Sequence, residues 1–473
     1  MKDAPMRAVD PPADGAASAP LPATPSLSAE TGSAPAPAWA SPRTAWFTLS
    51  MIGAVTVFGQ MDRAIFYLLV NSIKRDLAFT DTQMSLLMGV AYSAAYFLFG
   101  LPIARLTDVA TRKYILPCAL AAWSLGTALC ALASNFWQLA LARSIVGGGE
   151  SVKGPCSVSL ISDLFPRDKL PRAYAAYNFS IRFGEALALI IGGLLIGYFS
   201  SLGTVHVPLL GDLRDWHLVF LIFGLPGLFF ALVFVSTVKE PARHGRKIKG
   251  SVPLRDVFAF LFRSKAGAVL IPILLAAAVN NIEMVGIGSW RPAFYERTYG
   301  WGPADFAPIM GIANMIVAPI ALVAGAFFSE RLAKLGHADA NMRIVLWANI
   351  GSIPLGIISP LMPTFELALA VNLMSLFLVI ASAPSLLAAM QVVTPNELRG
   401  QVNALYLFTL SVLGAGLGPT VVALLTDYVF QAEADLRYAM VTVAAVAGPI
   451  SLALTWIAVK PYGRAYQEAA KAE

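Results

Sequence analysis

The most regular feature of the chain is a series of long apolar stretches separated by short polar loops. A helix rises about 1.5 Å per residue, so about 20 apolar residues are needed to cross a hydrocarbon core about 30 Å thick. The apolar stretches after residue 42 are long enough, and we predict twelve membrane-spanning helices. The predicted spans are residues 44–72, 82–106, 113–133, 136–163, 170–199, 216–238, 265–289, 303–329, 341–361, 365–391, 399–427 and 435–459.

A central polar break divides these spans six and six. Residues 239–264 form the longest internal polar stretch, whereas residues 1–42 are rich in Ala and Pro, which is typical of a disordered segment. The sequence therefore predicts an all-α integral membrane protein with twelve transmembrane helices in two pseudo-symmetric six-helix halves. The expected segments are a disordered cytoplasmic tail (1–42), an N-terminal six-helix bundle (43–238), a cytoplasmic linker (239–264), a C-terminal six-helix bundle (265–460) and a cytoplasmic tail (461–473).

A short motif recurs at the same place in both halves. Ala104-x-x-x-Asp108 closes the second span of the first half, and Ala326-x-x-x-Glu330-Arg331 closes the second span of the second half. Two parallel repeats of six spans are a design found among transporters. Chance similarity between two short motifs is the alternative interpretation.

The composition excludes an ordinary soluble protein. The chain is 57% hydrophobic and 13% charged, against roughly 25% charged in a typical soluble domain, and its mean hydropathy is +0.67. Cys118, Cys130 and Cys156 lie in apolar segments without paired spacing, and the four histidines form no metal-binding motif. We therefore expect no metal and no cofactor.

The positive charges of the chain, whose net charge is +6, are concentrated in the loops on one side of the predicted spans. This bias marks the cytoplasmic side of a membrane protein and gives no indication of nucleic-acid binding. We expect both termini to be cytoplasmic, in the plasma membrane or in the inner membrane of a bacterium. The bases on that side are Arg112, Lys113, Arg167, Lys169, Arg172, Arg331, Lys334, Arg343, Arg399 and those of the linker; those opposite are Lys74, Arg75, Arg214, Arg297 and Arg437.

A loop signature connects the chain to a known superfamily. Residues 100–113, GLPIARLTDVATRK, resemble the segment between helices two and three of the major facilitator superfamily. Asp108, Arg112 and Lys113 match the acidic and basic positions of that signature. The departures from it are Ala104, Val109 and Thr111.

Further segments are similar to one branch of this superfamily. The resemblance covers roughly residues 44–459 and is to the Spinster-like branch, which carries lysolipids and sphingolipid phosphates in animals and has bacterial members. It implies that this chain is a bacterial member. The segments are Asp62-Arg63, Ile73 to Leu77 with Thr80 to Gln83, Arg143 to Glu150, Ile161 to Pro166, Thr394 to Gly400, and Gly414-x-Gly416-x-Gly418-Pro419 with Asp427.

Charged residues inside the predicted spans are the candidates for function. An ionisable group at membrane depth is costly and is usually kept for a purpose. Four acids and four bases occur there, so we expect them to face a shared water-accessible cavity. They are Asp62, Arg63, Arg143, Glu150, Lys153, Arg182, Glu185 and Glu283.

The fourth span places two of these charges on one helical face. Arg143, Gly147 and Glu150 are spaced i, i+4 and i+7, so the two charges lie about 10 Å apart along the axis. The spacing suits an anion contact beside a protonation site. A substrate anion that competes for the cation would change the proton affinity of the acid, which would couple the two.

The Spinster-like resemblance assigns roles to four of these residues. It implies proton coupling at Asp62 and Glu150 and contact with an anionic head group at Arg63 and Arg143. The alternative is a structural charge cluster that fixes helix packing. Lys153 departs from the branch, which has an aromatic residue there; it either pairs with Glu150 at i, i+3 or contacts substrate.

Three further sets of charges complete the candidates. Arg182 and Glu185 are spaced i, i+3 and form either a self-contained pair or a cavity pair. Glu283, beside Asn280 and Asn281, marks the seventh span as facing the cavity, and we assign it to substrate binding. A cytoplasmic gate that locks the closed state is expected at Asp108, Arg112, Lys113, Glu330 and Arg331.

These features predict a secondary active transporter that works by alternating access and is no enzyme. The expected cargo is an amphiphilic anion such as a lysolipid or sphingolipid phosphate, coupled to protons, and the expected protein is a monomer among membrane lipids. A carrier of a small organic anion such as a sugar acid is the first alternative. A membrane lipid enzyme and a channel are less favoured, because no catalytic set lies in the spans and the two-half repeat suits a carrier. The chain also lacks the GxxxxGK[ST] loop of an ATPase.

Overall fold

The structure is a computed structural model that describes residues 39–166, 168–208, 210–244, 254–264, 266–395 and 398–470. The predicted disordered tail up to residue 38, linker residues 245–253 and residues 471–473 of the predicted C-terminal tail lie outside the described residues. The Asp108 side chain also lies outside them, although its backbone belongs to a described helix.

The first half consists of nine α-helices and one β-hairpin within the described residues. A π-helical turn, Leu86–Val90, joins α3 to α4, so both belong to the second span. The antiparallel hairpin pairs Val205 with Leu213. The elements are α1 (Pro42–Leu68), α2 (Val70–Leu77), α3 (Asp81–Ser85), α4 (Ala91–Val109), α5 (Arg112–Cys130), α6 (Phe136–Glu150), α7 (Lys153–Leu164), α8 (Leu170–Leu202), β1 (Val205–Val207), β2 (Gly211–Leu213) and α9 (Asp215–Thr237).

The second half follows the linker. Its eleventh span is assembled from α15, a π-helix (Leu410–Leu417), α16 and a second π-helix (Leu425–Phe430). Short 3₁₀ turns, Ser359–Leu361 and Glu433–Asp435, follow α13 and precede α17. The helices are α10 (Leu254–Arg263), α11 (Gly267–Tyr299), α12 (Pro303–Lys334), α13 (Ala340–Ile358), α14 (Phe365–Val393), α15 (Arg399–Thr409), α16 (Gly418–Leu424) and α17 (Leu436–Ala470).

The predicted fold of about twelve membrane spans is confirmed. In the described part of the chain, eleven helical stretches are long and apolar enough to cross a membrane. The fourth span is the twelfth, and it is shorter because it is two helices, α6 and α7, separated by a turn at Ser151 and Val152. The predicted span over 136–163 therefore corresponds to α6 and α7 together.

Two predicted boundaries need correction. The seventh span was expected to end at residue 289, but α11 continues to Tyr299 through the charged pair Glu296-Arg297. The first span was expected to reach residue 72, but α1 ends at Leu68 and a separate helix, α2, follows. In both places the charged or polar residues pack against protein, so apolar length alone does not mark the end of the helix.

Local signals fix the start of the second span. Ala78 caps α2 in the left-handed conformation with φ of 52°, which turns the chain. Thr80 and Gln83 then form a capping box, because the backbone N–H of each donates to the side chain of the other at 3.0 and 3.1 Å. The chain therefore reverses over a few residues and brings α2 beside the start of α3.

Two ends of the molecule are used as references below. The hairpin face is the end that carries β1 and β2, together with α2 and the C-terminal end of α11. The linker face is the opposite end, where α9 ends at Thr237 and α10 begins at Leu254.

Candidate functional site

A cluster of charges lies inside the N-terminal half around the carboxylate of Glu150, the last residue of α6. Glu150 is fully buried and accepts from Arg63 at 3.1 Å, from the Tyr92 hydroxyl at 2.9 Å and from Lys153 at 3.4 Å. Arg63 also donates to the Tyr92 hydroxyl. These partners come from α1, α4 and α7, so the cluster ties four helices together. We call it the charge cluster; its members are Asp62, Arg63, Tyr92, Arg143, Glu150 and Lys153.

Glycines bring the helices of the charge cluster close enough for these contacts. A Cβ atom at Gly147 would lie 2.2 Å from the carbonyl oxygen of Tyr92, and one at Gly59 would lie 2.3 Å from the Lys153 ammonium. Gly147 therefore admits the backbone of α4. Gly59 gives the Lys153 side chain its path across α1.

Arg143 is buried but only partly satisfied. Its guanidinium lies over the ring of Phe66, 4.2 Å from the centroid, and 5.4 Å from that of Tyr92. Nε and Nη2 have no hydrogen-bond partner among the described residues. Aromatic faces stabilise a guanidinium but leave its N–H groups free for an anion.

Asp62 and Arg63 point to different partners, as expected of sequence neighbours. Asp62 is almost fully buried, and the charged groups that act on it are Glu150, Arg143 and Lys153. Arg63 is the most accessible member, with 36% of its side chain exposed. With every group ionised, the charge cluster holds three bases and two acids, a surplus of one positive charge.

The structure shows the contacts of the two charge pairs that were predicted from i, i+3 spacing. Lys153 lies next to Glu150, and the structure shows no other ion pair for it within the described ranges. Arg182 contacts Glu185 at 2.9 Å, and Gln60 donates to the same carboxylate at 3.0 Å. The Arg182–Glu185 pair is half exposed and belongs to the α1–α8 contact rather than to the charge cluster.

Glu283 lies apart from the charge cluster. It faces α13, where a Cβ atom at Gly356 would lie 3.4 Å from its Oε1, and it lines a pocket formed by helices of the C-terminal half. Asn281, two residues earlier, donates to the carbonyl oxygen of Leu410 in the eleventh span. The structure therefore does not bring Glu283 together with Arg63, Arg143 and Lys153.

The predicted cytoplasmic gate has a different set of partners at the linker face. Arg112 is buried and pairs with Asp163 at 2.5 Å and Glu240 at 2.9 Å, and the Lys113 backbone donates to Glu240 at 2.7 Å. These contacts lie within the N-terminal half and the start of the predicted linker, which contains Glu240. Glu330 and Arg331 are exposed on α12. The described residues therefore show no ion pair from Arg112 to the C-terminal half.

Sequence reasoning missed a network that joins the halves at the hairpin face. Arg297, at the end of α11, pairs with the buried Asp81 at 2.6 Å, and Lys74 contacts the same carboxylate at 2.6 Å. Lys74 also pairs with Glu433, and Arg75 pairs with Glu296. We call these six residues the hairpin-face latch.

Among the described residues, the ion pairs between the halves all belong to the hairpin-face latch. Thr82 adds a further link by donating to Asp427 from its backbone at 2.7 Å and from its hydroxyl at 2.6 Å. The conformation is therefore closed at the hairpin face. The signal in the sequence was weak, because Arg297 lies beyond the apolar run and reads as a loop charge.

The fold and the intramembrane charges are those of a transporter, and sequence comparison gives the family. The sequence profile described as "Major Facilitator Superfamily" matches residues 52–419. The chain belongs to this superfamily. The expected resemblance in residues 100–113 is thereby confirmed at the level of the superfamily.

The proteins that this chain resembles in sequence have different names. An "MFS-type efflux pump" of Mycolicibacterium smegmatis is 25% identical over 443 residues, 91% of this chain and 96% of the relative. "Protein spinster" of Drosophila melanogaster is 24% identical over 325 residues; the match spans 66% of this chain and only 50% of that protein. A "Hexuronate transporter" of Bacillus subtilis is 23% identical over 382 residues, 78% of this chain and 85% of the relative.

A solved structure shares the fold. It is a bacterial homologue of the human lysosomal transporter Spinster in an inward-facing and unoccupied conformation. The TM-score is 0.73 at 23% identity, with 91% of this chain and 99% of that chain covered. Both the sequence relatives and this structure therefore include Spinster proteins, as the sequence segments predicted.

Proposed function

We propose that this transporter moves an anion by alternating access around the charge cluster. The observation that carries the proposal is Arg143: a buried guanidinium, held between aromatic rings, with two N–H groups that lack partners among the described residues. A buried cation without an anion is costly, and an anionic substrate supplies one. The surplus positive charge of the cluster favours the same sign of substrate.

Proton coupling follows from competition for the cations. Glu150 is held by Arg63 and Lys153, and Arg63 is the accessible one of the two. A substrate anion that binds Arg63 removes one cation from Glu150, which makes proton uptake by Glu150 or by the neighbouring Asp62 more favourable. In this mechanism Asp62 and Glu150 carry the proton, and Arg63 and Arg143 bind the anion.

The proposed cargo is an amphiphilic anion such as a lysolipid or a sphingolipid phosphate. The support is the Spinster-like sequence segments together with the rings of Phe66 and Tyr92 beside the Arg143 guanidinium. Such rings accommodate an apolar chain next to a charged head group. Membrane lipids surround the protein, which we expect to act as a monomer.

A small organic anion such as a sugar acid is the second candidate. Tyr67, Tyr92 and Tyr96 all lie near the Arg63 guanidinium, and their hydroxyls suit a substrate with several hydroxyl groups. The name of the hexuronate relative points to the same class.

Flux in reconstituted liposomes separates these candidates. With an imposed pH gradient, we would follow a labelled lysophospholipid and labelled glucuronate for the native protein and for Arg143→Ala. We expect lipid flux in the native protein and at least about a tenfold loss of substrate affinity in Arg143→Ala, because one charged hydrogen bond contributes about 1.5–3 kcal/mol. Arg437→Gln, a half-buried arginine that donates to Tyr438, is the control.

The outcomes lead to distinct conclusions. Glucuronate flux without lipid flux would favour the sugar-acid candidate and would still agree with the proposed anion-binding site. Native affinity in Arg143→Ala would remove Arg143 from the substrate site. Substrate flux that does not depend on the pH gradient would contradict the proposed proton coupling.

A further inference from the structure

A second polar pocket lies inside the C-terminal half, bounded by α11, α13, α14 and α17. Glu283, Arg291 and Tyr295 line it from α11, with Ser352 from α13 and Asn372 and Ser375 from α14. No residue of the N-terminal half lines it in the described structure. We call it the C-half pocket, and it is separate from the charge cluster.

Three polar atoms of the C-half pocket lack hydrogen-bond partners within the described ranges. They are Oε2 of Glu283, Nδ2 of Asn372 and the Tyr295 hydroxyl. Asn372 is only 6% exposed and Tyr295 only 1% exposed. Buried polar groups are normally satisfied, so three orphaned atoms around one cavity indicate something that occupies it.

Glu283 has no ion pair in the described part of the chain, although Arg291 lines the same pocket. Burial alone acts on its carboxyl, and the phenol of Tyr295 is the titratable neighbour of Arg291 at the other end of the pocket. Eight residues of α11 separate Glu283 from Arg291, which is about 12 Å of helix. The sides formed by α13, α14 and α17 contribute polar or apolar groups without charge, such as Gly356 and Met440.

Glu150 and Glu283 differ in whether a cation of the protein is bonded to the carboxylate. Glu150 has Arg63 and Lys153 within 3.4 Å. Glu283 has no bonded cation among the described residues, and a carboxylate at membrane depth needs a cation or a proton to remain there. A proton or a cation from outside the chain meets this need.

The C-half pocket has room for such a cation. The cavity measures about 70 Å³, and about 10–15 Å³ by this measure is enough for one water. A monovalent ion or a proton therefore fits together with several waters. The carboxylate and the oxygens of Ser352, Ser375 and Asn372 are hard donors, which suit such ions.

We propose that Glu283 binds an exchangeable monovalent cation, either a proton or Na⁺, and that the C-half pocket is a second coupling site of the transporter. The coupling role rests on the proposed function, whereas cation binding by itself does not. This assignment replaces direct substrate contact by Glu283. It places one cation site in each half, so that both halves respond to the ion gradient.

The first test compares uphill transport with exchange for Glu283→Gln. Liposomes containing the protein would receive either a pH gradient or a Na⁺ gradient, and net accumulation of substrate would be measured beside equilibrium exchange. We expect Glu283→Gln to lower the accumulation ratio while exchange continues, because one of the two coupling sites is removed and substrate binding is not. Loss under the pH gradient identifies a proton, and loss under the Na⁺ gradient identifies Na⁺.

The matched control is Glu366→Gln, an exposed acid in the first turn of α14. It should accumulate substrate as the native protein does. Native accumulation by Glu283→Gln under both gradients would overturn the proposed coupling site.

The second test is direct cation binding by the purified full-length protein. We would measure Na⁺ binding with ²²Na⁺ and proton uptake by pH-jump titration, for the native protein, Glu283→Gln and Glu283→Asp. We expect one cation fewer per molecule in Glu283→Gln and recovery in Glu283→Asp. Equal binding in all three proteins would overturn the proposal, even if the transported substrate proves to be of another class.

Discussion

At the scale of single residues, Lys153 is the side chain that most affects Glu150. The sequence does not decide whether Lys153 pairs with Glu150 or contacts substrate, because i, i+3 spacing allows either. The structure places its ammonium 3.4 Å from the carboxylate and against Gly59. The charges Asp62, Arg63, Arg143 and Glu150 could be named from the sequence, but their pairing could not, since it depends on how α1, α4, α6 and α7 pack.

Replacing Lys153 with Met should change the pH dependence of transport. The substitution keeps the length of the side chain but removes one of the two cations beside Glu150, so proton binding there becomes more favourable. Protonation then persists to higher pH, and we expect the midpoint of the flux–pH profile to rise by roughly one unit. The measurement is initial flux in liposomes across a series of pH values.

Lys113→Met, at the linker face, should leave that midpoint in place. An unchanged midpoint in Lys153→Met would show that Glu150 is not the group that titrates during transport.

At the scale of helices, the contact between α4 and α6 requires a residue without a side chain at position 147. A Cβ atom there would lie 2.2 Å from the Tyr92 carbonyl oxygen, a backbone atom that cannot yield by changing rotamer. Gly147→Ala should therefore push the helices apart and displace Tyr92 from Glu150. We expect about 1–3 kcal/mol of lost stability together with loss of transport, measured by thermal unfolding in detergent and by flux.

The same chain supplies a matched control for this prediction. Gly154 in α7 has no atom within 4 Å of an added Cβ. Gly154→Ala should be neutral or slightly stabilising, since Ala is the better helix former. Equal behaviour of the two variants would contradict the close approach of α4 and α6.

A buried arginine holds several elements of the N-terminal half together at the linker face. Arg112 begins α5 and binds Asp163 of α7 and Glu240, which follows α9. Arg112→Ala leaves two acids without their buried cation, so we expect a loss of about 3–5 kcal/mol. Lys113→Ala, next in the sequence, should cost far less. Thermal unfolding of the two variants in one detergent checks this; a similar melting temperature for both would show that the Arg112 pairs are weak.

The sequence predicted most helices well, but it misplaced helix boundaries that do not coincide with the ends of the apolar stretches. The break between α6 and α7 was missed because Ser151 and Val152 do not interrupt the apolar pattern. The last turns of α11 were missed because Glu296 and Arg297 resemble loop charges, although Arg297 is buried against Asp81. The pair between Arg297 and Asp81 is a tertiary contact, which hydropathy along a single chain does not record.

At the scale of the whole molecule, orientation and conformation have to be combined. The positive loops predict that the linker face is cytoplasmic, and the hairpin-face latch closes the opposite end. With this predicted orientation the conformation is inward-facing, like that of the solved fold relative. The two halves and their number of spans followed from the sequence, but the latch did not, because its residues come from α2, α3, α11 and the turn before α17.

Breaking the hairpin-face latch should shift the transporter toward states open at the hairpin face. Asp81 is fully buried between Lys74 and Arg297, and Asp81→Asn removes the only carboxylate paired with Arg297 among the described residues and leaves Lys74 with Glu433 alone, whereas water can solvate both cations after opening. We expect a shift of about 3 kcal/mol, roughly a hundredfold in the ratio of the two states. Spin labels on β2 and on the turn at 431–435 would report it as a longer distance between the halves.

The double variant Asp81→Asn with Arg297→Gln distinguishes charge from packing. It removes the acid and its main partner together, so less uncompensated charge remains and the closed state should recover in part. The exposed pair Arg75–Glu296 serves as a control, because Arg75→Gln should move the distance little. If Asp81→Asn leaves the distance distribution unchanged, the halves are held closed by apolar contacts such as Gly89 against Gly416, and the latch charges do not set the conformation.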